Sequence, residues 1–379
     1  MAEPRETAGR PFRVVIAGAG RIGIALALLL RETPEFEILL ADPTEPGCRR
    51  AGALGLPFLE ADPADATAFD RLLTGVDAVV AALPASATPM VAAAARRNGC
   101  HYLDLGDDGT ALEAVRSEAR VASGCFVPQC GISPGLVSGL VLDLAARCEG
   151  KPDIAVRIGA LPPTPSGCLG YGLIWDVDAT LREYTRASLA LIEGQEAELA
   201  PLSGVSPLEI EGRDYEVFVS GVIPATLRRR LAGTVGNLVS QTIRYPGHAA
   251  QMVFLLDELK LRDRVYLLRN LFLNALPEIA DDRLLVSITA LPGKGEAAHF
   301  LRVVEPLAVG GTSIGAMRRT AASHVAAVLD LLRLGIIGKP GLLAQEDIPP
   351  ALLQDSRFLA WFFEPAEPAV SPPLQEVSR

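Results

Sequence analysis

Phe12-Arg-Val-Val-Ile-Ala-Gly-Ala-Gly-Arg-Ile-Gly23 decides the fold of this 379-residue chain. Phe12 to Ala17 is a short, β-branched run of the kind a buried strand uses. A G-x-G-x-x-G turn follows at once, and Ile24 to Arg31, rich in Ala and Leu, reads as a helix. Each glycine has a separate task in such a turn. Gly18 permits the tight bend, Gly20 lets the backbone approach a pyrophosphate, and Gly23 lets helix and strand pack closely. The helix start then offers unbonded N–H groups and its positive dipole end to the phosphates. Arg21 and Ile22 belong to the same predicted cofactor contact.

A second strand, Phe36 to Ala41, ends at Asp42, which lies 19 residues beyond Gly23. A carboxylate there is placed for the adenosine ribose hydroxyls and repels the extra phosphate of NADP, so NAD is expected rather than NADP. The alternation continues with a helix over 65–73, a strand over 77–82, a helix capped by Thr88 and running to Asn98, and a strand over 100–104. A helix over 111–122 and a strand over 125–129 complete it. Such alternation predicts an α/β fold with a Rossmann-type, doubly wound parallel sheet. Ligands in these sheets bind outside the carboxyl ends of the strands. That rule selects Leu83 and Pro84 for the ribose or nicotinamide, and Asp104 for the catalytic cleft. Asp107 and Asp108 read instead as caps of the next helix. The turn Gln129-Cys-Gly131-Ile-Ser-Pro134-Gly135 is a second strand-to-helix junction at a carboxyl strand end, where Gly131 and Gly135 allow close backbone approach and contact of the turn with the nicotinamide is expected.

Length suggests about two domains, and 49% hydrophobic residues suffice for a sizeable core. The net charge is 35 − 45 = −10, which argues against a nucleic-acid partner. Arg49–Arg50 and Arg228–Arg230 read as solvated surface or helix ends. No run reaches the ~20 apolar residues of a membrane span. The charged first residues lack a signal-peptide core, and six scattered cysteines suit reduced thiols, so a cytoplasmic location is expected. No metal-ligand spacing occurs. The expected organisation is a flexible 1–11, a dinucleotide domain over 12–135, and an α+β substrate and dimerisation domain over 136–312. Helices over 313–363, beginning with a long one at 314–334, return to the first domain, and a disordered tail covers 364–379. In the second domain, 154–160, 215–219, 284–290 and 302–309 read as strands, and 249–261 as a helix.

Several blocks together resemble the saccharopine dehydrogenase family, nearest its lysine 6-dehydrogenase branch. They are residues 18–23, Tyr102-Leu-Asp-Leu-Gly106, Cys130-Gly-Ile-Ser-Pro-Gly-Leu136, Gln241-Thr-Ile-Arg-Tyr-Pro-Gly-His248 and Met317-Arg-Arg-Thr320. The resemblance implies oxidation of a C–N bond of an amino acid or amine, or the reverse reductive amination, in a homodimer or larger homo-oligomer. It places Gly131 and Ser133 along the nicotinamide, Trp175 against substrate, and Arg244 and His248 in the cleft. Two features depart from it: bulky Val222 and Ile223, and Asp176 and Asp178 after Trp175.

Amine oxidation needs a neutral amine, a hydride acceptor and a base. His248 is the first base candidate, since imidazole titrates near neutral pH; the alternative is a cap for the helix at Ala249. Asp104 is the second. Arg244 offers a planar fork to a substrate carboxylate, with an interdomain ion pair as the other reading, and Arg319 is a further choice for that role. Tyr171, Trp175 and Tyr245 are expected to wall the pocket or to pack the core. His101, His299 and His324 read as structural. Two other functions stay open: an opine-type reductase joining an amine to a carbonyl compound, and a non-catalytic dinucleotide sensor.

Overall fold

The computed structural model describes residues 10–309 and 311–363. The expected tail over 364–379, and all of the expected flexible start except Arg10 and Pro11, lie outside them.

The first domain alternates β1 (Phe12–Ala17), α1 (Arg21–Arg31), β2 (Phe36–Asp42), α2 (Glu45–Ala53), β3 (Phe58–Glu60) and α3 (Ala66–Leu72). It continues with β4 (Ala78–Ala81), α4 (Thr88–Asn98), β5 (His101–Asp104), α5 (Gly109–Ala119), β6 (Cys125–Val127) and α6 (Leu136–Arg147). The strands pair in the order β6-β5-β4-β1-β2-β3, all parallel. The central strands β1 and β4 are covered on both faces, which is why their sequences are continuous apolar runs rather than alternating ones. The order reverses between β1 and β4, leaving a crevice outside their carboxyl ends.

The second domain holds β7 (Asp153–Leu161), α7 (Val177–Thr185), β8 (Ser188–Ile192), β9 (Gln195–Leu199), β10 (Ser206–Ile210), β11 (Arg213–Val219) and α8 (Ala225–Leu231). β12 (Leu238–Arg244), α9 (His248–Val253), α10 (Val265–Ala275), β13 (Arg283–Leu291) and β14 (Ala298–Val304) follow. Its sheet runs β10-β11-β12-β7-β13-β14, with the β8–β9 hairpin on β12. Only β12 and β7 are parallel, so the sheet is mixed, as an α+β domain requires. The chain then forms a small hairpin, β15 (Leu307–Val309) and β16 (Thr312–Ile314), the helix α11 (Ala316–Arg333), β17 (Gly341–Leu342), α12 (Pro350–Gln354) and α13 (Ala360–Phe363).

α11 lies against α1, and β17 adds a seventh parallel strand beside β6. Fourteen of the eighteen residues of α11 are buried, so this helix is an interior strut rather than an amphipathic surface helix. With α6 it joins one apolar core that includes Ile16 and Leu26 of the first domain and Val156 and Val286 of the second.

Some local expectations are corrected. Residues 302–309 are not one strand: β14 starts earlier and ends at Val304, because Pro306 supplies no N–H to the ladder. Thr88 is the first helical residue of α4 and donates back to the Ala85 carbonyl at 2.9 Å, while Ala87 occupies the cap. The helix expected over 249–261 is α9 followed by a π-helical turn at Phe254–Glu258. Arg228 is buried rather than solvated, paired with Glu196 at 2.9 Å.

Candidate active site

The phosphate loop is built by glycine at the positions where a side chain has no room. Gly18 has φ +113°, and a Cβ there would sit 2.3 Å from the Ala82 carbonyl oxygen. A Cβ on Gly23 would lie 1.9 Å from the oxygen of Gly18. Gly20 differs: nothing lies within 4 Å of its would-be Cβ, so the space it keeps open is outside the protein. α1 starts there with no side-chain cap and no acidic residue in its first turn. A crevice wall of open backbone at an uncapped helix start fits a dinucleotide diphosphate.

Asp42, buried at the end of β2, ties the loop down. One carboxylate oxygen accepts from Ala19 N at 2.7 Å and the other from Thr44 N at 2.8 Å and Thr44 Oγ1 at 2.5 Å. Arg50 donates to the Ala19 carbonyl at 3.1 Å, and Arg49 pairs with Glu45. Leu83 packs beside Gly18 and Pro84 is exposed at the same crevice edge. The Arg21 side chain leaves the loop altogether. It donates to the Leu173 and Ile174 carbonyls at 3.2 and 3.0 Å and pairs with Glu278 at 2.9 Å, linking the loop to the second domain.

A cavity of about 270 Å³ opens next to this loop. Ile22 and the turn Gly131–Pro134 form its first-domain side, with Asp107 and Asp108 beyond β5. Opposite stand Ser240, Gln241, Thr242 and Arg244 of β12, and Trp175, Arg182, Glu183 and Arg186 in and around α7. Val222 and, from α11, Met317 complete the lining. The structure brings Ile22, Gly131, Ser133, Trp175 and Arg244, all candidates from the sequence, to the lining of one cavity, although they come from distant parts of the chain.

Arg244 is buried on this wall. Its Nε donates to Tyr184 Oη at 3.0 Å and one terminal nitrogen to the Ile243 carbonyl at 2.9 Å, while the guanidinium lies 4.7 Å over the Tyr171 ring. Burial opposes its charge, but Tyr184, Tyr171 and Glu183 outweigh that and keep it protonated. It has no carboxylate within ion-pair distance among the described residues. Tyr171 is therefore a platform beneath Arg244, not a cavity residue.

The other candidates sit elsewhere. His248 is buried behind the wall, with Nδ1 2.8 Å from the Leu169 carbonyl and Nε2 3.1 Å from Tyr184 Oη. Burial, aided by Arg244, lowers its pKa to about 3, so it stays neutral and is not placed as the base. Asp104 is buried and accepts from Gly106 N, Gln129 N and Tyr102 Oη. Burial raises its pKa, and its bonds show a fastener between the β5 and β6 loops. Tyr245 donates to the Pro162 carbonyl at 2.9 Å and stacks on Tyr215, away from the cavity. Arg319 lies 3.7 Å over the Trp361 ring and donates to the Glu305 carbonyl, on a different face of α11, so it is not at the substrate cavity. Asp108 caps α5 through Thr110 N and Ala111 N, and Asp176 caps α7 through Ala179 N. Asp178 pairs with Arg269 of α10. The two aspartates that depart from the resembled pattern thus have structural partners.

Sequence reading missed Glu183. It lines the cavity, is only partly accessible, and makes no hydrogen bond or ion pair with a described residue. Burial pushes its pKa up to about 7, with Arg244 pulling the other way. No sequence motif marks it; only the helical spacing of Val177, Leu181 and Tyr184 on the buried face points to α7.

Loop, crevice and interdomain cavity together define a two-domain pyridine-nucleotide oxidoreductase. Residues 14–124 match the family described as saccharopine dehydrogenase NADP binding domain. The fold is shared with saccharopine dehydrogenase (L-Glu forming) of Saccharomyces cerevisiae, at 17% identity and TM-score 0.72 over 90% of this chain and 96% of that one. It is shared also with the homospermidine synthase of Legionella pneumophila, solved with NAD, at 13% identity and TM-score 0.60 over 90% and 88%. Among the described residues no helix is long and apolar enough to cross a membrane, and no group of His, Cys, Asp or Glu is placed to hold a metal ion.

Proposed function

We propose that the protein oxidises a C–N bond of an amino acid or amine, with NAD as hydride acceptor, in the manner of lysine side-chain oxidation. One observation carries the reading: a buried, ionised Arg244 without a carboxylate partner and the carboxyl of Glu183 line the same cavity beside the nucleotide loop. Such a pair suits a substrate that brings both a carboxylate and an amine. Arg244 offers its fork to the carboxylate. Trp175 and Val222 bound the aliphatic part, and the turn Gly131–Ser133 supports the nicotinamide.

NAD is favoured by the neighbourhood of Asp42. An added phosphate would meet that carboxylate, and Arg49 and Arg50, the nearby cations, already pair with Glu45 and the Ala19 carbonyl. The cofactor, when bound, supplies a two-electron acceptor. The residues described here hold it, orient the amine and exclude water.

Purified protein mixed with NAD or NADP and a panel of amines, L-lysine first, tests the reading at the NADH absorbance band. Turnover with an amino acid and NAD supports it. Cofactor oxidation only when an amine and a carbonyl compound are both present would shift the assignment to the joining reaction. Silence with every amine in both directions would remove it. Light scattering on the same sample tests the homodimer or larger homo-oligomer that the family resemblance implies.

A further inference from the structure

We propose that Glu183 is the base of this site: its carboxylate receives the substrate's amino group and takes one proton from the ammonium. The proposal rests on the C–N reading above and names the residue that reading leaves unassigned.

Three observations carry it. First, Glu183 sits on the cavity wall, on the helix that follows Trp175. Second, the other candidate bases are engaged. His248 uses both ring nitrogens, Asp104 accepts three hydrogen bonds, and Asp108 caps a helix. Asp107 already faces Arg182 at 3.8 Å. Glu183 alone among these has its oxygens unbonded to described residues. Third, the groups facing it set its acidity. Burial and Asp107 hold the proton on, whereas Arg244 and Arg182 draw it off, with the Tyr171 and Tyr184 hydroxyls close by. The balance lies at about 7, where a base exchanges protons best at neutral pH.

The chemistry demands such a group. An alkylammonium has a pKa of about 10.4, so the amine arrives charged, and a charged nitrogen has no electron pair with which to form C=N. The proton transfer balances by itself. One N–H bond breaks, its pair stays on nitrogen, and the proton rests on a Glu183 oxygen. The two-electron oxidation that follows uses the pyridine nucleotide of the proposed function as oxidant.

The test compares wild type, Glu183→Gln and Glu183→Asp with the amine that turns over best in the panel. In the wild type, kcat/KM should fall about tenfold per pH unit below about 7, because only the ionised carboxylate accepts a proton. Glu183→Gln should lower kcat by about a hundredfold or more and erase that acidic limb. Glu183→Asp should restore part of the rate together with the limb. Calorimetry of amine binding at pH 7, in two buffers of different ionisation enthalpy, should show proton exchange for the wild type and none for Glu183→Gln. An unchanged thermal midpoint for Glu183→Gln separates loss of the base from loss of the fold; if that variant does not fold, Glu183→Asp carries the pH and calorimetric comparison. Wild-type turnover with unaltered rate, pH limb and proton exchange in the variants would overturn the assignment of Glu183 alone. Absence of wild-type turnover would overturn the C–N reading beneath it.

Discussion

Gly18 and Gly20 stand two residues apart in one loop and are required for different physical reasons. At Gly18 the protein itself fills the space, and the backbone is left-handed. Gly18→Ala should therefore damage the fold, lowering stability by about 1–3 kcal/mol in a denaturant titration. A variant as stable as wild type would mean that the loop is built differently. At Gly20 only a ligand fills the space, so a side chain there tests binding without testing folding. The same distinction explains why sequence alone placed the candidate residues unevenly. A glycine's role follows from local geometry, so the loop could be read directly. A histidine's role depends on what occupies its two nitrogens. For His248 those partners are the Leu169 carbonyl and the Tyr184 hydroxyl, neither of them visible in a linear motif. Arg319 was misjudged likewise, because its partner Trp361 comes from a later helix.

At the scale of elements, the first domain was legible because each βα unit carries its own signals. A β-branched run, a glycine or aspartate at its end and an alanine-rich helix repeat at short range. The second domain mixes parallel and antiparallel pairing between strands as distant as β7 and β12, so its order could not be read from succession. α7 was missed for a related reason. It is nine residues long and carries Asp, two Thr and Tyr, so its helicity comes from burying Val177, Leu181 and Tyr184 rather than from propensity. Its start depends on Asp176, whose carboxylate accepts from Ala179 N at 2.6 Å. Asp176→Ala should cost about 1 kcal/mol of stability. It should also raise KM for the amine, since α7 holds Arg182 and Glu183, while leaving NAD affinity unchanged. Equal losses of amine and NAD binding in that variant would show that α7 does not serve the substrate side alone.

At the scale of the whole molecule, one core runs through both domains, and two buried histidines make its stability depend on pH. Burial keeps His248 and His324 neutral and lowers their pKa values from 6.5 to about 3 and about 4. The unfolded chain binds a proton on each near pH 6.5, the folded chain only near 3 and 4. At these two sites the unfolded state thus holds more protons across the interval, and their contribution to stability falls as pH drops from 6.5 towards 4, while Glu183, Asp282 and Asp104, whose pKa values burial raises, contribute in the opposite sense. The slope is up to about 1.4 kcal/mol per pH unit for each histidine. The stability difference between wild type and His248→Gln should therefore shift against the wild type as pH falls from 6.5 towards 4 in denaturant titrations. A difference that does not change with pH would contradict the burial of a neutral His248 ring. The nucleotide crevice, the cavity beside it and the strut α11 beneath both depend on that shared core, and all of the chemistry proposed here depends on the crevice. The most direct measurement is isothermal titration calorimetry of NAD into wild type and Gly20→Val, with thermal midpoints recorded on the same samples. The account predicts saturable binding to the wild type, weakening of at least tenfold in Gly20→Val, and nearly equal midpoints. No heat with NAD or NADP in the wild type, or undiminished binding in Gly20→Val, would contradict it.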